Sequence, residues 1–266
     1  MSSLFKSRTL RLLLVSPPGG GKGTIINKIV ESKPDFLGYK EVSLKVKGKE
    51  KNELIPNEPL ILSSGTILRN GQEDELIKKF MSQGKLVPDS AINSLMMKTL
   101  KDVKIENSTT GNNMVILDGF PRNKQQCVYL KDNMDHDKQI DMVIEIDTPQ
   151  KLIIDRCVQR FIHLKSGRTY NMKYKPPKVS MKDDVTGEPL IQRDDDKYET
   201  VTMRLEDYNK KLIGIKEFFL EDTPRENILY YKVDGETSDL NFKEIMKILE
   251  NYFKTKEQED FFKKKF

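Results

Sequence analysis

Several things are scarce in this chain, and each scarcity excludes something. Two isolated cysteines, Cys127 and Cys157, occur among 266 residues. They are too few for a disulfide framework and supply no paired zinc ligands. No apolar run approaches the roughly 18 residues of a membrane-spanning helix, so an integral membrane protein is excluded. Residue 2 is serine, which rules out N-myristoylation. Charge of one sign is scarce too: 46 basic and 41 acidic residues leave a net +5 and a pI of about 8.9, with both signs interspersed throughout. That balance suits an anionic ligand and demands no nucleic acid.

What is present is polar for a globular protein, 33% charged and 36% apolar. Four dense apolar runs, Leu10–Val15, Met114–Leu117, Met142–Ile146 and Ile228–Val233, are nonetheless enough to build a core. The length fits one compact multi-lobed domain or two small ones. Met1–Arg11 carries Lys6, Arg8 and Arg11, three serines and no acid. It reads either as the stub of a mitochondrial address or as a short basic lead-in to a strand.

The first apolar run reads as a buried parallel strand. It leads into Ser16-Pro17-Pro18-Gly19-Gly20-Gly21-Lys22-Gly23-Thr24, and then into helical apolar spacing over Ile25–Glu31. Strand, glycine turn, Lys-x-Thr and helix form a phosphate-binding loop. Backbone N–H groups converge on an anion, the helix dipole adds to them, and Lys22 reaches the terminal phosphates. Two details depart from the usual pattern: Ser16 stands where it opens with glycine, and Gly23 separates lysine from threonine.

Further along, Ser64-Gly65-Thr66-Ile67-Leu68-Arg69 follows a short apolar run, and Gly84–Asp89 closes a helix expected from about Gln72. Asp89 or Ser90 is expected to cap the next helix. The strand Met114–Leu117 ends in Asp118-Gly119-Phe120-Pro121-Arg122, with Gln126 one helical turn on. A carboxylate at the carboxyl end of a parallel strand points into the crevice where α/β sheets bind ligands. After the strand Met142–Ile146, Thr148-Pro149 is expected to open a helix carrying Arg156 and Arg160 on one face. Residues 159–196 then lose periodicity and read as a turn-rich excursion, a small β lobe. Helix resumes from about Tyr198 to Leu220 with Arg204 on its first turns; a last strand, Ile228–Val233, and a helix over Leu240–Phe253 follow.

These motifs in this order resemble the adenylate kinase family in its long-lid form. The resemblance runs from Leu10 to about Phe253. It rests on the phosphate loop, Asp-Gly-Phe-Pro-Arg, Asp-Arg-x3-Arg, Ser-Gly-Arg-x-Tyr, Pro-Pro-Lys, Asp-Asp-x-Thr-Gly-Glu and Gln-Arg-x-Asp-Asp. It implies a three-layer α/β P-loop core with a five-stranded parallel sheet, in segments 1–38, 88–158 and 197–266. An AMP-binding lobe at 39–87 and a small β lid at 159–196 would close on that core and exclude water. The implied reaction is reversible phosphoryl transfer from a nucleoside triphosphate to AMP. It needs positioning and charge neutralisation, and no protein base.

By the same resemblance, Gly19, Gly20, Gly21, Lys22, Gly23 and Thr24 hold the donor phosphates. Arg156 lies against the donor base, with Thr169, Tyr170 and Thr237 nearby. Ser64, Lys85, Leu86, Val87, Gly119 and Gln126 frame AMP, whose phosphate Arg69 and Arg122 grip. Arg160, Arg193 and Arg204 neutralise the transferring group. Magnesium accompanies the triphosphate, with Thr24 and Asp118 facing its water shell. In the lid, His163, Ser166, Asp183 and Thr186 stand where many bacterial relatives place four zinc-binding cysteines. Three oxygens and one imidazole suit a hydrogen-bond network, so no structural zinc is expected. Asp195 is expected to anchor a lid arginine. Phe36–Leu60 is longer than the family minimum and rich in lysine and glutamate. It reads as a solvated insertion, a loop or a hairpin. The tail Lys254–Phe266 reads as a helical extension.

After Gly235 the turn is Glu236-Thr237-Ser238, where ATP-specific bacterial enzymes carry Thr-Lys-Pro. Hydroxyls there suit guanine, and the lid resembles that of mitochondrial-matrix GTP:AMP phosphotransferases, so the resemblance favours GTP over ATP as donor and leaves both open. Expected partners are AMP and ATP or GTP, acting on a monomer in the mitochondrial matrix or the cytoplasm. Two rival readings remain: a non-catalytic nucleotide sensor, suggested by Ser16, and an RNA-binding surface, which lacks interleaved aromatics.

Overall fold

A computed structural model describes residues 9–46, 49–70, 87–102, 113–135, 138–222 and 228–263. Five parallel strands form one sheet in the order β4-β5-β1-β6-β9: β1 (Thr9–Val15), β4 (Leu60–Ser63), β5 (Asn113–Asp118), β6 (Met142–Ile146) and β9 (Leu229–Val233). Side chains alternate between the faces of such strands, so β1 feeds two cores. Leu10, Leu12 and Leu14 meet Ile25, Ile26 and Ile29 of α1 (Lys22–Ser32) and Ile245, Leu249 and Phe253 of the last helix (Ser238–Lys263). Leu13 and Val15 face the opposite layer. That layer draws on α3 (Asp89–Asp102), α4 (Lys124–Asn133) and α6 (Tyr198–Lys216). α2 (Ser64–Asn70), α5 (Gln150–Val158) and that last helix, α7, complete the α-helices among the described residues. The result is the expected α/β three-layer arrangement, with the strand order reversing beside β1.

Two small antiparallel sheets project from this core. In the first, β2 (Tyr39–Val46) and β3 (Lys49–Pro56) pair along their whole length, from Tyr39↔Pro56 to Val46↔Lys49. The long insertion is therefore a hairpin. Its root is fastened by Asn57, whose backbone N–H donates to the Gly38 carbonyl and whose side chain donates to the Leu37 carbonyl. Beside it Phe36 stacks on Phe253 of α7. The second sheet, β7 (Arg160–Ile162) with β8 (Thr169–Asn171), belongs to the excursion 159–196.

Several local expectations change. α5 begins after Pro149, whose carbonyl accepts the first helical N–H groups, those of Leu152 and Ile153. Thr148 therefore does not cap it; its hydroxyl is buried without a partner among the described residues. α3 likewise starts on the Pro88 carbonyl, and the Asp89 carboxylate is used elsewhere. The helix after β8's excursion ends as expected near Leu220, but its last turn, Glu217–Asp222, is π-helical. Lys216 at that transition pairs with buried Glu145 of β6 at 2.9 Å, and Glu145 also accepts from the Tyr230 hydroxyl at 2.6 Å. The expected helix from Gln72 lies outside the described residues, as do residues 1–8 of the basic lead-in. No helix among the described residues is long and apolar enough to cross a membrane.

Candidate active site

The carboxyl ends of β1, β4, β5, β6 and β9 converge on one crevice, as open parallel sheets require. The loop after β1 lines its floor. Gly19 and Gly21 adopt φ values of +81° and +89°, a region that favours glycine over residues with a Cβ. A Cβ on Gly19 would also lie 2.3 Å from the Cys157 Sγ of α5, and one on Gly21 would lie 2.5 Å from the Ser238 Oγ of α7. The loop is thus packed directly against both helices. Lys22 opens α1, and its ammonium lies 2.9 Å from Asp118 at the end of β5. Thr24 is exposed on the first turn.

Gly119 organises the next part of the site. Its carbonyl accepts from the Ser64 hydroxyl at 2.8 Å and from Arg122 Nε at 2.5 Å, while Arg122 Nη2 donates to Ser64 Oγ at 3.1 Å. A Cβ on Gly119 would strike both partners, at 2.8 and 2.9 Å. The buried Gln126 side chain holds the turn from behind, accepting from the Arg122 N–H at 2.7 Å and donating to Asp89 at 3.0 Å. Asp89 also accepts from Asn123, whose own side chain caps α4. Arg122 stands open to the crevice and crowded by protein elsewhere. Desolvation lowers its pKa, opposed by the charge of Asp118 and reinforced by that of Arg204. Among the described residues no carboxylate forms an ion pair with it.

On the other side, Arg160 lies outside the helix expected for it. α5 ends at Val158, and Arg160 begins β7. Its guanidinium makes a two-pronged contact with both oxygens of fully buried Asp196, the chief reason its pKa is raised. The residue that anchors this arginine is therefore Asp196, not Asp195. Asp195 instead lies 3.4 Å from Arg204. Arg193 is exposed and precedes the short turn Asp194–Asp196. Arg156 Nη2 donates to the Glu236 carbonyl at 2.5 Å, which joins α5 to the turn before α7. Asn241 clasps that turn by bonding both the N–H and the carbonyl of Gly235. Thr237 Oγ1 accepts from the Leu240 N–H at 3.2 Å and caps α7.

The excursion 159–196 folds around hydrogen bonds. His163 meets Ser166 at 2.7 Å and Glu188 at 2.6 Å. Asp183 accepts from Arg168 through both oxygens, and from Tyr170, Thr186 and two backbone N–H groups. These bonds, the Arg168 guanidinium first, hold the Asp183 carboxyl far below the usual carboxylate range. The Tyr170 ring is buried and its hydroxyl is committed to Asp183. Thr169 is exposed on β8. Val87 is half-buried before α3, whereas Lys85, Leu86 and the Arg69 side chain lie outside the described residues.

Sequence reasoning missed Asp89, Asp196, Arg168 and Glu188. Asp196 and Arg168 stood inside quoted motifs, and their neighbours drew the assignments. Asp89 stood at a helix start, where capping is the ordinary reading.

A lysine carried on a glycine turn between strand and helix, facing a strand-end carboxylate and a ring of arginines, defines a P-loop phosphotransferase. The chain belongs to the adenylate kinase family, whose model matches residues 47–223. A mitochondrial GTP:AMP phosphotransferase of Saccharomyces cerevisiae is 32% identical over 92% of this chain and 94% of its own length. Its Drosophila melanogaster namesake is 37% identical over 77% of this chain and 81% of its own. An adenylate kinase of Buchnera aphidicola is 35% identical over 92% of this chain and the full length of that enzyme.

Proposed function

We propose that the chain catalyses reversible transfer of the terminal phosphoryl group of a nucleoside triphosphate to AMP, with GTP as the preferred donor. The observation that carries this reading is the meeting of two cationic devices at one carboxylate. Asp118 is ion-paired to Lys22 of the glycine loop and lies close enough to Arg122 to support its charge. One device faces the position of donor phosphates, the other that of an acceptor phosphate. Arg122 and Arg204 repel each other there, and an anion between them relieves that repulsion. Arg160, held rigid by Asp196, adds charge from the lid side. The acceptor is already an anionic phosphate, so these groups need only orient and neutralise.

Magnesium arrives with the triphosphate, and its chemistry when bound is to offset charge on the phosphate oxygens. The residues fit it: Thr24 and Asp118 offer hard oxygen donors beside Lys22, the type Mg²⁺ takes through water. Residues 39–87 would form the AMP lobe and 159–196 the lid, each closing over its nucleotide. The exposed Thr237 hydroxyl in the turn after Gly235 supports GTP, because a hydroxyl can donate to the acceptor oxygen that guanine presents where adenine presents an amino group. The yeast and fly relatives are named for GTP, while the Buchnera relative, named adenylate kinase, supports ATP as the second reading. The yeast and fly names and the basic lead-in together favour a mitochondrial address.

The acceptor side is tested by assaying AMP, CMP and UMP with one magnesium triphosphate. The reading expects product from AMP alone at physiological concentrations, and Arg122→Ala to abolish it. Equal use of all three acceptors would overturn the AMP assignment.

A further inference from the structure

The phosphate loop departs from its usual pattern at Ser16, and the departure is matched by a glycine at position 20, where the pattern leaves the residue open. In Gly-x-x-x-x-Gly-Lys the first residue is glycine, and the one before the second glycine is unrestricted. In this chain the first is Ser16 and the unrestricted one is Gly20. Gly19 and Gly21 need glycine for backbone reasons, having φ values of +81° and +89°. Gly20 has no such need, because its φ lies outside the left-handed region. What bars a side chain at Gly20 is Ser16: a Cβ there would lie 2.4 Å from Ser16 Oγ, with Pro17 O at 3.1 Å and Pro17 Cδ at 3.2 Å. Ser16 is buried, and its hydroxyl donates to the Pro17 carbonyl at 3.2 Å. That same carbonyl accepts the Gly20 N–H at 3.0 Å, closing the turn on which the loop is built.

We infer that Ser16 is a positioning residue of the phosphate loop, and that the glycine at position 20 is what leaves room for its hydroxyl in the conformation seen. The serine hydroxyl fills the space that a side chain at position 20 would take, and it braces the Pro17 carbonyl from inside the turn. It acts on the substrate only through the loop, by holding the N–H groups that follow Pro17 in one arrangement. The departure at Ser16 is thus a compensated exchange and not a damaged loop, which removes the main support for a non-catalytic sensor. The inference rests on the loop being the donor-phosphate site.

A double-substitution cycle at 16 and 20 tests it. The readouts are kcat, KM for the triphosphate, KM for AMP, binding of a fluorescent non-hydrolysable triphosphate, and melting temperature. Ser16→Gly is expected to raise the triphosphate KM about fivefold, the scale of one lost neutral hydrogen bond. Gly20→Ala in the native background should raise it by about tenfold or more, because the two side chains compete for one space. With glycine already at position 16, Gly20→Ala should instead lower the triphosphate KM again. KM for AMP should stay within about twofold throughout, which a general loss of packing would not give. If Gly20→Ala fails to fold, Ser16→Gly alone carries the test, since it only removes atoms. An unchanged triphosphate KM in Ser16→Gly, or equal harm from Gly20→Ala in both backgrounds, would overturn the inference. Failure of the native chain to bind the triphosphate analogue would overturn the donor-site reading instead.

Discussion

Lys22 Nζ and Asp118 Oδ1 stand 2.9 Å apart, joining the loop after β1 to the end of β5. The two strands run side by side with Leu14 opposite Asp118, so the pair spans the shortest route across the crevice floor. Each side chain is about four-fifths covered, which places the ion pair inside the site. Asp118 thereby fixes the position of the lysine at the mouth of the glycine loop.

That relationship predicts opposite behaviour from its two halves. Lys22→Ala should lower kcat by about a thousandfold, the scale of losing one charge-stabilising group, with an unchanged circular dichroism spectrum. Asp118→Asn should release Lys22 and tighten binding of magnesium-free triphosphate, while lowering kcat when magnesium is present. Isothermal titration with and without magnesium separates the two effects.

Asp196 and Asp195 are neighbours with unequal work. Asp196→Ala strips a buried partner from Arg160 and should cost about 2 kcal/mol, below the fully buried range because Arg160 keeps some contact with water. It should also lower kcat. Asp195 pairs loosely and openly with Arg204, so Asp195→Ala should cost less than about 0.5 kcal/mol. Urea melts of the two variants check the order.

The depressed carboxyl of Asp183 makes the excursion 159–196 acid-sensitive. A carboxyl held below its unfolded value stabilises the folded form at pH values above that unfolded value, about 4, and the contribution fades as pH falls below it. Limited proteolysis within the excursion should therefore quicken in the native chain as the pH falls below about 4. Asp183→Asn should be cut faster at neutral pH and should show a weaker dependence, the remainder coming from Glu188.

Tyr170→Phe removes the hydroxyl that Asp183 and the Asp184 N–H share. Its buried place predicts a lower melting temperature with the triphosphate KM within about twofold of native. A large rise in that KM alone would return Tyr170 to the donor site.

Thr237→Val should reduce kcat/KM for GTP about tenfold, the scale of one lost hydrogen bond to the base, and leave ATP nearly unaffected. Thr237→Ser keeps both the donated proton and the helix cap, and should restore GTP use.

The sheet was legible because most of its strands are dense apolar runs, and the Lys22 loop because glycine, lysine and helix leave a fixed spacing in one stretch of chain. Arg160 was misplaced because a four-residue spacing suggests one helix face, whereas α5 stops at Val158 and the chain turns into β7. Periodicity carries no mark of where a helix ends when neither glycine nor proline follows. Asp196 and Asp195 are indistinguishable as letters; only the turn Asp194–Asp196 decides which carboxylate is buried. The commitment of Tyr170 to Asp183 could not be read in advance, because it spans 13 residues of turn-rich chain. The contribution of Asp89 to the Arg122 turn joins residues 37 apart through Gln126, a contact no local pattern records.

The most direct test of the account is the initial rate of phosphoryl transfer to AMP from GTP and from ATP, measured in parallel at matched magnesium and saturating AMP. The account predicts transfer from both, with the greater kcat/KM for GTP. A greater value for ATP would contradict the donor assignment, and no transfer from either nucleotide would contradict the phosphotransferase reading itself.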